Sequence, residues 1–186
     1  MSVHVVRWAV AGVVVGLGCG AGLARAGTNH TYTPYPPYTG GLAEGTGTVA
    51  DLWWANSFDA PAGGEWITRV DASFEGGLAN GTPISVLIYQ DPNNDGDPSD
   101  LQLLRRLDTT VNSSSGATDL YTPQGFSVPA TYVSGNFFVA VEANNVPASA
   151  YFPVELTNPQ NRSYWAYNKG TKVGTMTPTT LGDSTL

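Results

Sequence analysis

Cysteine occurs once in the 186 residues, histidine twice, and lysine plus arginine only eight times against 15 Asp and Glu. Four of these scarce groups, His4, Arg7, Cys19 and Arg25, fall within residues 1–26, MSVHVVRWAVAGVVVGLGCGAGLARA. That segment reads as an export signal: Arg7 in a short start, an apolar run from Trp8 to about Leu17, and Ala24-Arg25-Ala26 as a small–x–small cleavage pattern. Cleavage is expected after Ala26. The apolar run is short and glycine-diluted for a membrane anchor. Acylation of Cys19 is the other alternative, with Leu17 one position late for a good lipobox.

Removal of this leader leaves no cysteine, one histidine (His30), and six basic against 15 acidic residues, a net charge of −9. Disulfides, a cysteine nucleophile and Cys/His metal sites are thereby excluded. A Ser–His–Asp triad would depend on His30, in a stretch with no apolar pattern around it. An acidic chain of this charge repels phosphate backbones, which argues against nucleic-acid binding. Only 12% of residues are charged and 11% are aromatic, a balance that favours a packed domain over disorder.

What is abundant is glycine, proline, and short apolar runs between them. Residues 27–42 (GTNHTYTPYPPYTGGL) form a Thr/Tyr/Pro-rich lead-in, extended by Pro34, Pro36 and Pro37. Residues 43–186 read as one domain. Strands are expected at Val49–Phe58, Trp66–Phe74, Ile84–Tyr89, Leu101–Val111, Leu120–Val128, Asn136–Ala143 and Ser163–Tyr167, separated by Gly/Pro/Asn/Asp turns and with no helical period. In Trp66–Phe74, strict alternation sets Trp66, Thr68, Val70, Ala72 and Phe74 on one face. ISVLIY (84–89) is apolar on both faces, as a central strand is. The fold class is all-β, a two-sheet antiparallel β-sandwich of jelly-roll or Greek-key type. The Thr-rich tail from Gly170 ends in GDSTL without a closing strand, so a C-terminally incomplete chain is expected.

One loop stands out chemically. Asp91-Pro92-Asn93-Asn94-Asp95-Gly96-Asp97 sets oxygen-bearing side chains at alternate positions before a glycine, as the first half of a calcium loop does. Asp91, Asn93 and Asp95 would face one centre, with Asp97 and Asp100 adding oxygens. The twelfth position is Gln102 instead of a bidentate Glu, and no helices flank the loop. A polar turn made of natural turn formers is the alternative. Arg105-Arg106 lie between Asp100 and Asp108, with which surface pairs are expected.

The adjacent Trp53 and Trp54 face opposite sides of a strand. With Trp165 they are candidate stacking residues for a sugar if one of each pair is exposed; otherwise one fills the core and one covers a sheet face. No carboxylate pair is singled out for glycoside hydrolysis, with Glu142 and Glu155 the candidates considered. Asn29, Asn80, Asn112 and Asn161 head formal glycosylation sequons.

Trp54-x-Asn56-Ser57-Phe58, Leu87-Ile88-Tyr89-x-Asp91 with the DPNNDGDPSD loop, Phe137-Phe138-Val139 and Arg162-Ser163-Tyr164-Trp165 together resemble uncharacterised secreted bacterial β-sandwich domains, over roughly residues 48–168. The resemblance implies an extracellular sandwich, often an appendage or part of a larger surface protein, and brings no catalytic residues. The expectation is thus an exported, non-enzymatic sandwich with a binding or structural role, calcium as its cofactor, and a polysaccharide or other surface component as partner. A carbohydrate-binding module and an accessory domain of a secreted hydrolase are the alternatives. No membrane span is expected in the mature chain.

Overall fold

The computed structural model describes residues 4–8, 29–32, 41–43, 50–72, 74, 78–112, 124–146, 151–153, 162–167 and 177–178. They form strands β1 (His4–Trp8), β2 (Asn29–Tyr32), β3 (Gly41–Ala43), β4 (Ala50–Asp59), β5 (Glu65–Ala72) and β6 (Pro83–Gln90). A single 3₁₀ turn at Pro98–Asp100 precedes β7 (Gln102–Thr110), β8 (Gln124–Val133), β9 (Asn136–Val146), β10 (Tyr151–Pro153), β11 (Ser163–Tyr167) and β12 (Thr177–Pro178). The architecture is the expected all-β sandwich, and no α-helix occurs among the described residues. Most of the leader, Cys19, most of the lead-in, Glu155 and most of the tail lie outside them.

The larger sheet runs β12-β11-β4-β9-β6-β7, and the smaller β2-β1-β5-β8. Strands β4, β6, β7, β9 and β11 pair antiparallel, as do β5 and β8. Sheet-to-sheet packing is visible in the rings: Trp54 meets Phe74 edge-on at 6.1 Å, and Phe74 meets Phe126 at 6.1 Å. Ile67, Val70 and Val128 complete that side. By alternation Ile84, Val86 and Ile88 of β6 share the inner face, while Ser85, Leu87 and Tyr89 take the other. All six are buried, so β6 is covered on both faces, as its unbroken apolar run predicts.

Two departures from simple alternation matter. The β5–β8 register shifts between Ile67 and Arg69, a bulge that reverses the faces of everything before it. Trp66 is therefore exposed while Val70, Ala72 and Phe74 are buried, which corrects the single shared face expected for them. Strand β8 runs on through Pro129 to Val133 instead of stopping at Val128. It is the edge strand of its sheet, where a missing N–H costs no ladder bond.

Strand β1 belongs to the expected leader. It pairs in parallel with β2 on one side and with β5 on the other, Val6 opposite Val70 and Arg7 opposite Asp71. Cleavage after Ala26 would withdraw it and open the β5 edge. Among the described residues no helix is long and apolar enough to cross a membrane.

Candidate functional site

The connection between β6 and β7 is built around Asp91, whose side chain is fully buried. Its Oδ1 accepts the backbone N–H of Asn93 (3.2 Å) and Asn94 (2.8 Å), and its Oδ2 accepts that of Gly96 (2.7 Å). The pattern then repeats by twos: Asn93 Oδ1 accepts from Asp95 N, Asp95 Oδ1 from Asp97 N, and Asp97 Oδ1 from Ser99 N. Asp and Asn at alternate positions do this because their short side chains reach the amide two residues on. Gly96 sits at φ +78° and Asn94 at φ +59°, left-handed values that these two residue types tolerate best.

The sandwich clamps this loop from three sides. Gln90 donates to the carbonyls of Asp91, Ser134 and Asn136 and accepts from Ser134 N. Asn94 Oδ1 accepts from Asn136 N at 2.7 Å, and Tyr164 on β11 donates its hydroxyl to the Gly96 carbonyl at 3.0 Å. Gly135, φ +60°, passes directly under Asn94, and a Cβ there would collide with the Asn94 amide. Gly135→Ala is accordingly expected to cost about 2 kcal/mol, from left-handed strain together with loss of the Asn94–Asn136 bond. Urea unfolding reads this as a lower midpoint at unchanged slope.

Within this frame the carboxylate oxygens of Asp91, Asp95 and Asp100 lie within 4.8 Å of one another. Of the five expected oxygen donors, these three bring carboxylates together. Asp97, whose expected contribution is its backbone carbonyl, caps the 3₁₀ turn with its side chain, and Asn93 turns its amide N–H₂ to Asp95 Oδ2 at 3.0 Å. A carboxylate offers about four acceptor positions, so the bonds to backbone leave lone pairs at Asp91 and Asp95.

Desolvation, with the charges of Asp95 and Asp91 next in weight, pushes the Asp100 carboxyl above its usual pKa. Its neutral form is thus favoured in the folded chain. The stability this lends is complete below the ordinary carboxylate pKa of about 3.9 and is lost as pH rises through the raised value. Asp100→Asn should therefore make the metal-free chain more stable than wild type at neutral pH, with the difference vanishing in acid. Thermal melts across pH in EDTA check this.

A second polar group crosses the outer face of the larger sheet. Glu142 lies opposite Ser85 and Trp53 in the register. Arg106 donates to Glu142 Oε2 (2.9 Å), Ser85 Oγ (2.8 Å) and Asp108 Oδ1 (2.7 Å). Ser85 also donates to Asp108, and these bonds, the serine's foremost and then the arginine's, hold the Asp108 carboxyl below its usual range. Burial, then Glu142, pushes the Tyr89 phenol upward. The expected Arg106–Asp108 surface pair is present, but Arg106 also reaches inward, and Arg105 reaches Thr131 on β8 at 3.3 Å. The Arg106 bonds tie β6, β7 and β9 together across the outer face. No sequence pattern flagged Glu142 as Arg106's partner, because they are 36 residues apart and meet only where β7 and β9 flank β6.

The aromatic candidates fare differently. Trp53 is 7% exposed and Trp54 5%, so the second of the two expected arrangements holds for this pair: Trp54 packs between the sheets, Trp53 covers the opposite sheet face, and neither presents a ring for stacking on a sugar. Trp165 stands opposite Trp54 in the β11–β4 register, and its side chain lies outside the described ones. Among the described residues the exposed rings are instead Trp66 (38%) and Tyr132 (46%). Of the sequon asparagines, Asn80 occupies an exposed turn and Asn112 is exposed after β7, while Asn161 lies outside the described residues.

Comparison with protein-family models, with curated proteins and with solved structures finds no match to this chain. The site must be read from its own chemistry.

Proposed function

We propose that the chain is an exported, non-catalytic β-sandwich with a binding or structural role at the cell surface or outside the cell. In this reading Asp91–Asp100 holds a calcium ion that locks the β6–β7 connection, and the partner is a polysaccharide or another surface component. The observation that carries it is the convergence of the Asp91, Asp95 and Asp100 carboxylates within 4.8 Å, on a loop pinned by Gln90, Asn136 and Tyr164. Calcium takes six to eight oxygens at about 2.3–2.6 Å. Three carboxylates, loop carbonyls and water would supply a hard, all-oxygen set, and the ion would offset the charges of Asp95 and Asp91 that, after desolvation, raise the Asp100 pKa. The ion would tie strands together and leave bonds in any ligand untouched.

Extracellular modules bind calcium at about 10⁻⁴–10⁻³ M. At about 10 mM calcium, linkage then stabilises the folded chain by about 1.4–2.7 kcal/mol, a rise in Tm of about 3–10 °C. Melts of the exported chain in calcium and in EDTA test this. Identical curves would remove the calcium reading, and retention of the chain inside the cell would remove the exported one.

A further inference from the structure

We propose that the outer face of the β5–β8 pair is a binding site for a neutral oligosaccharide, stacked on Trp66 and Tyr132 and hydrogen-bonded by Arg69. Trp66 and Tyr132 are directly opposite in the register, with ring centroids 5.4 Å apart at 62°. They are two of three large hydrophobic side chains exposed among the described residues; the third, Leu103, stands on β7 in the other sheet. Tyr132 is fixed before any ligand arrives. Its hydroxyl donates to the Gly63 carbonyl at 2.9 Å, and its ring lies so close over Gly64 that a Cβ there would strike the phenol. Rings held this way lose little freedom on binding, which is what a stacking surface requires.

The same face carries the polar half of a sugar site. The bulge after Ile67 brings Arg69 outward opposite the exposed Ser127, while the next pair, Val70 and Phe126, turns inward. Arg69 donates its Nε–H to the buried Asp71 at 2.7 Å. Its guanidinium lies over Gly125, where a Cβ would meet the guanidinium carbon at 2.8 Å. The glycine thus lets a five-donor group lie flat on the sheet, half-exposed and aimed by one carboxylate. From Trp66 to Arg69 is three steps of strand, about 10 Å at full extension, a span that suits a disaccharide unit with the C–H face of one sugar on one of the two angled rings and the hydroxyls of the next toward Arg69.

Other occupants fit less well. A protein partner needs about 800 Å² per side with an apolar centre, and two rings beside Arg69 and Ser127 do not provide that. An acidic polymer would meet an exported chain with six basic against 15 acidic residues, a net charge of −9, and a nucleic acid likewise. The proposal gives the polysaccharide partner proposed above its binding face and does not rest on calcium: Trp66, Tyr132 and Arg69 lie outside the Asp91–Asp100 loop, although Ser134, which helps clamp that loop, follows Tyr132 by two residues.

Native electrophoresis of the exported chain in gels containing mixed-linkage β-glucan or galactomannan tests the proposal. At least one polymer should retard migration. Trp66→Ala and Tyr132→Ala should each weaken the effect about tenfold, and Arg69→Lys, which keeps a charge beside Asp71, should weaken it to a lesser degree, each variant being run well below its own melting midpoint. Trp66→Phe, which keeps a smaller ring and the fold, should lose only part of the binding. Migration unchanged in both polymers overturns the proposal, and so does retardation that none of the Trp66 and Tyr132 variants reduces.

Discussion

Phe137→Ala is expected to lower stability by about 3–5 kcal/mol, or about 6–20 °C in Tm for a domain of this size. Phe137 is completely buried on β9, the strand that pairs with both β4 and β6 and so holds the larger sheet together. Its ring stacks on Phe58 at 5.6 Å and 30°, so truncation removes one partner of an aromatic pair and leaves a cavity between the sheets. A small domain with ordinary total stability keeps little margin after such a loss. The unfolding midpoint should fall with an unchanged slope, because the surface exposed on unfolding is nearly the same. Phe138, its neighbour, points to the opposite face and meets Tyr164 at 5.1 Å, so the two adjacent rings support different layers.

Asp91→Ala should cost about 3 kcal/mol and abolish any calcium response. The carboxylate is the only acceptor shown for the N–H groups of Asn93, Asn94 and Gly96, and hydrogen bonds to a buried charge are the stronger kind. Once it is removed, the turn keeps its anchors at Gln90 and Tyr164 but has no centre. Asp91→Asn should be milder, since an amide oxygen keeps one side of the cradle while its N–H₂ faces donors on the other. Hydrogen exchange at Asn94 and Gly96 separates the two variants: protection is lost in Asp91→Ala and partly kept in Asp91→Asn.

Much of this fold was legible because alternation and burial leave plain marks. The two-sided apolar run of Ile84–Tyr89 announced a covered strand, and β11 matches its expected limits. What failed was local phase. A one-residue bulge after Ile67 leaves no trace in composition, yet it turns Trp66 to solvent and Val70 inward. Pro129 looked like a strand end because proline breaks ladders, and only the edge position of β8 makes it harmless. For Trp53 and Trp54, neighbours in sequence could be assigned to opposite faces, but whether each face is covered depends on tertiary packing.

The candidate site shows the same division. Spacing by two identified Asp91, Asn93 and Asp95, since the chemistry of short polar side chains acts within a few residues. Its clamps, Gln90, Asn136 and Tyr164, were out of reach, because Tyr164 stands 68 residues from Gly96. The turn bonds made by the Asp97 and Asn93 side chains were also invisible, since either side chain serves a turn as readily as an ion.

The central claim, a cation held by Asp91, Asp95 and Asp100, meets its most direct test in calorimetric titration of the exported chain with calcium chloride. One site per chain is expected, with a dissociation constant of about 10⁻⁴–10⁻³ M, weakened at least tenfold by Asp95→Asn and by Asp100→Asn. Absence of saturable heat, or binding that both substitutions leave intact, would contradict it.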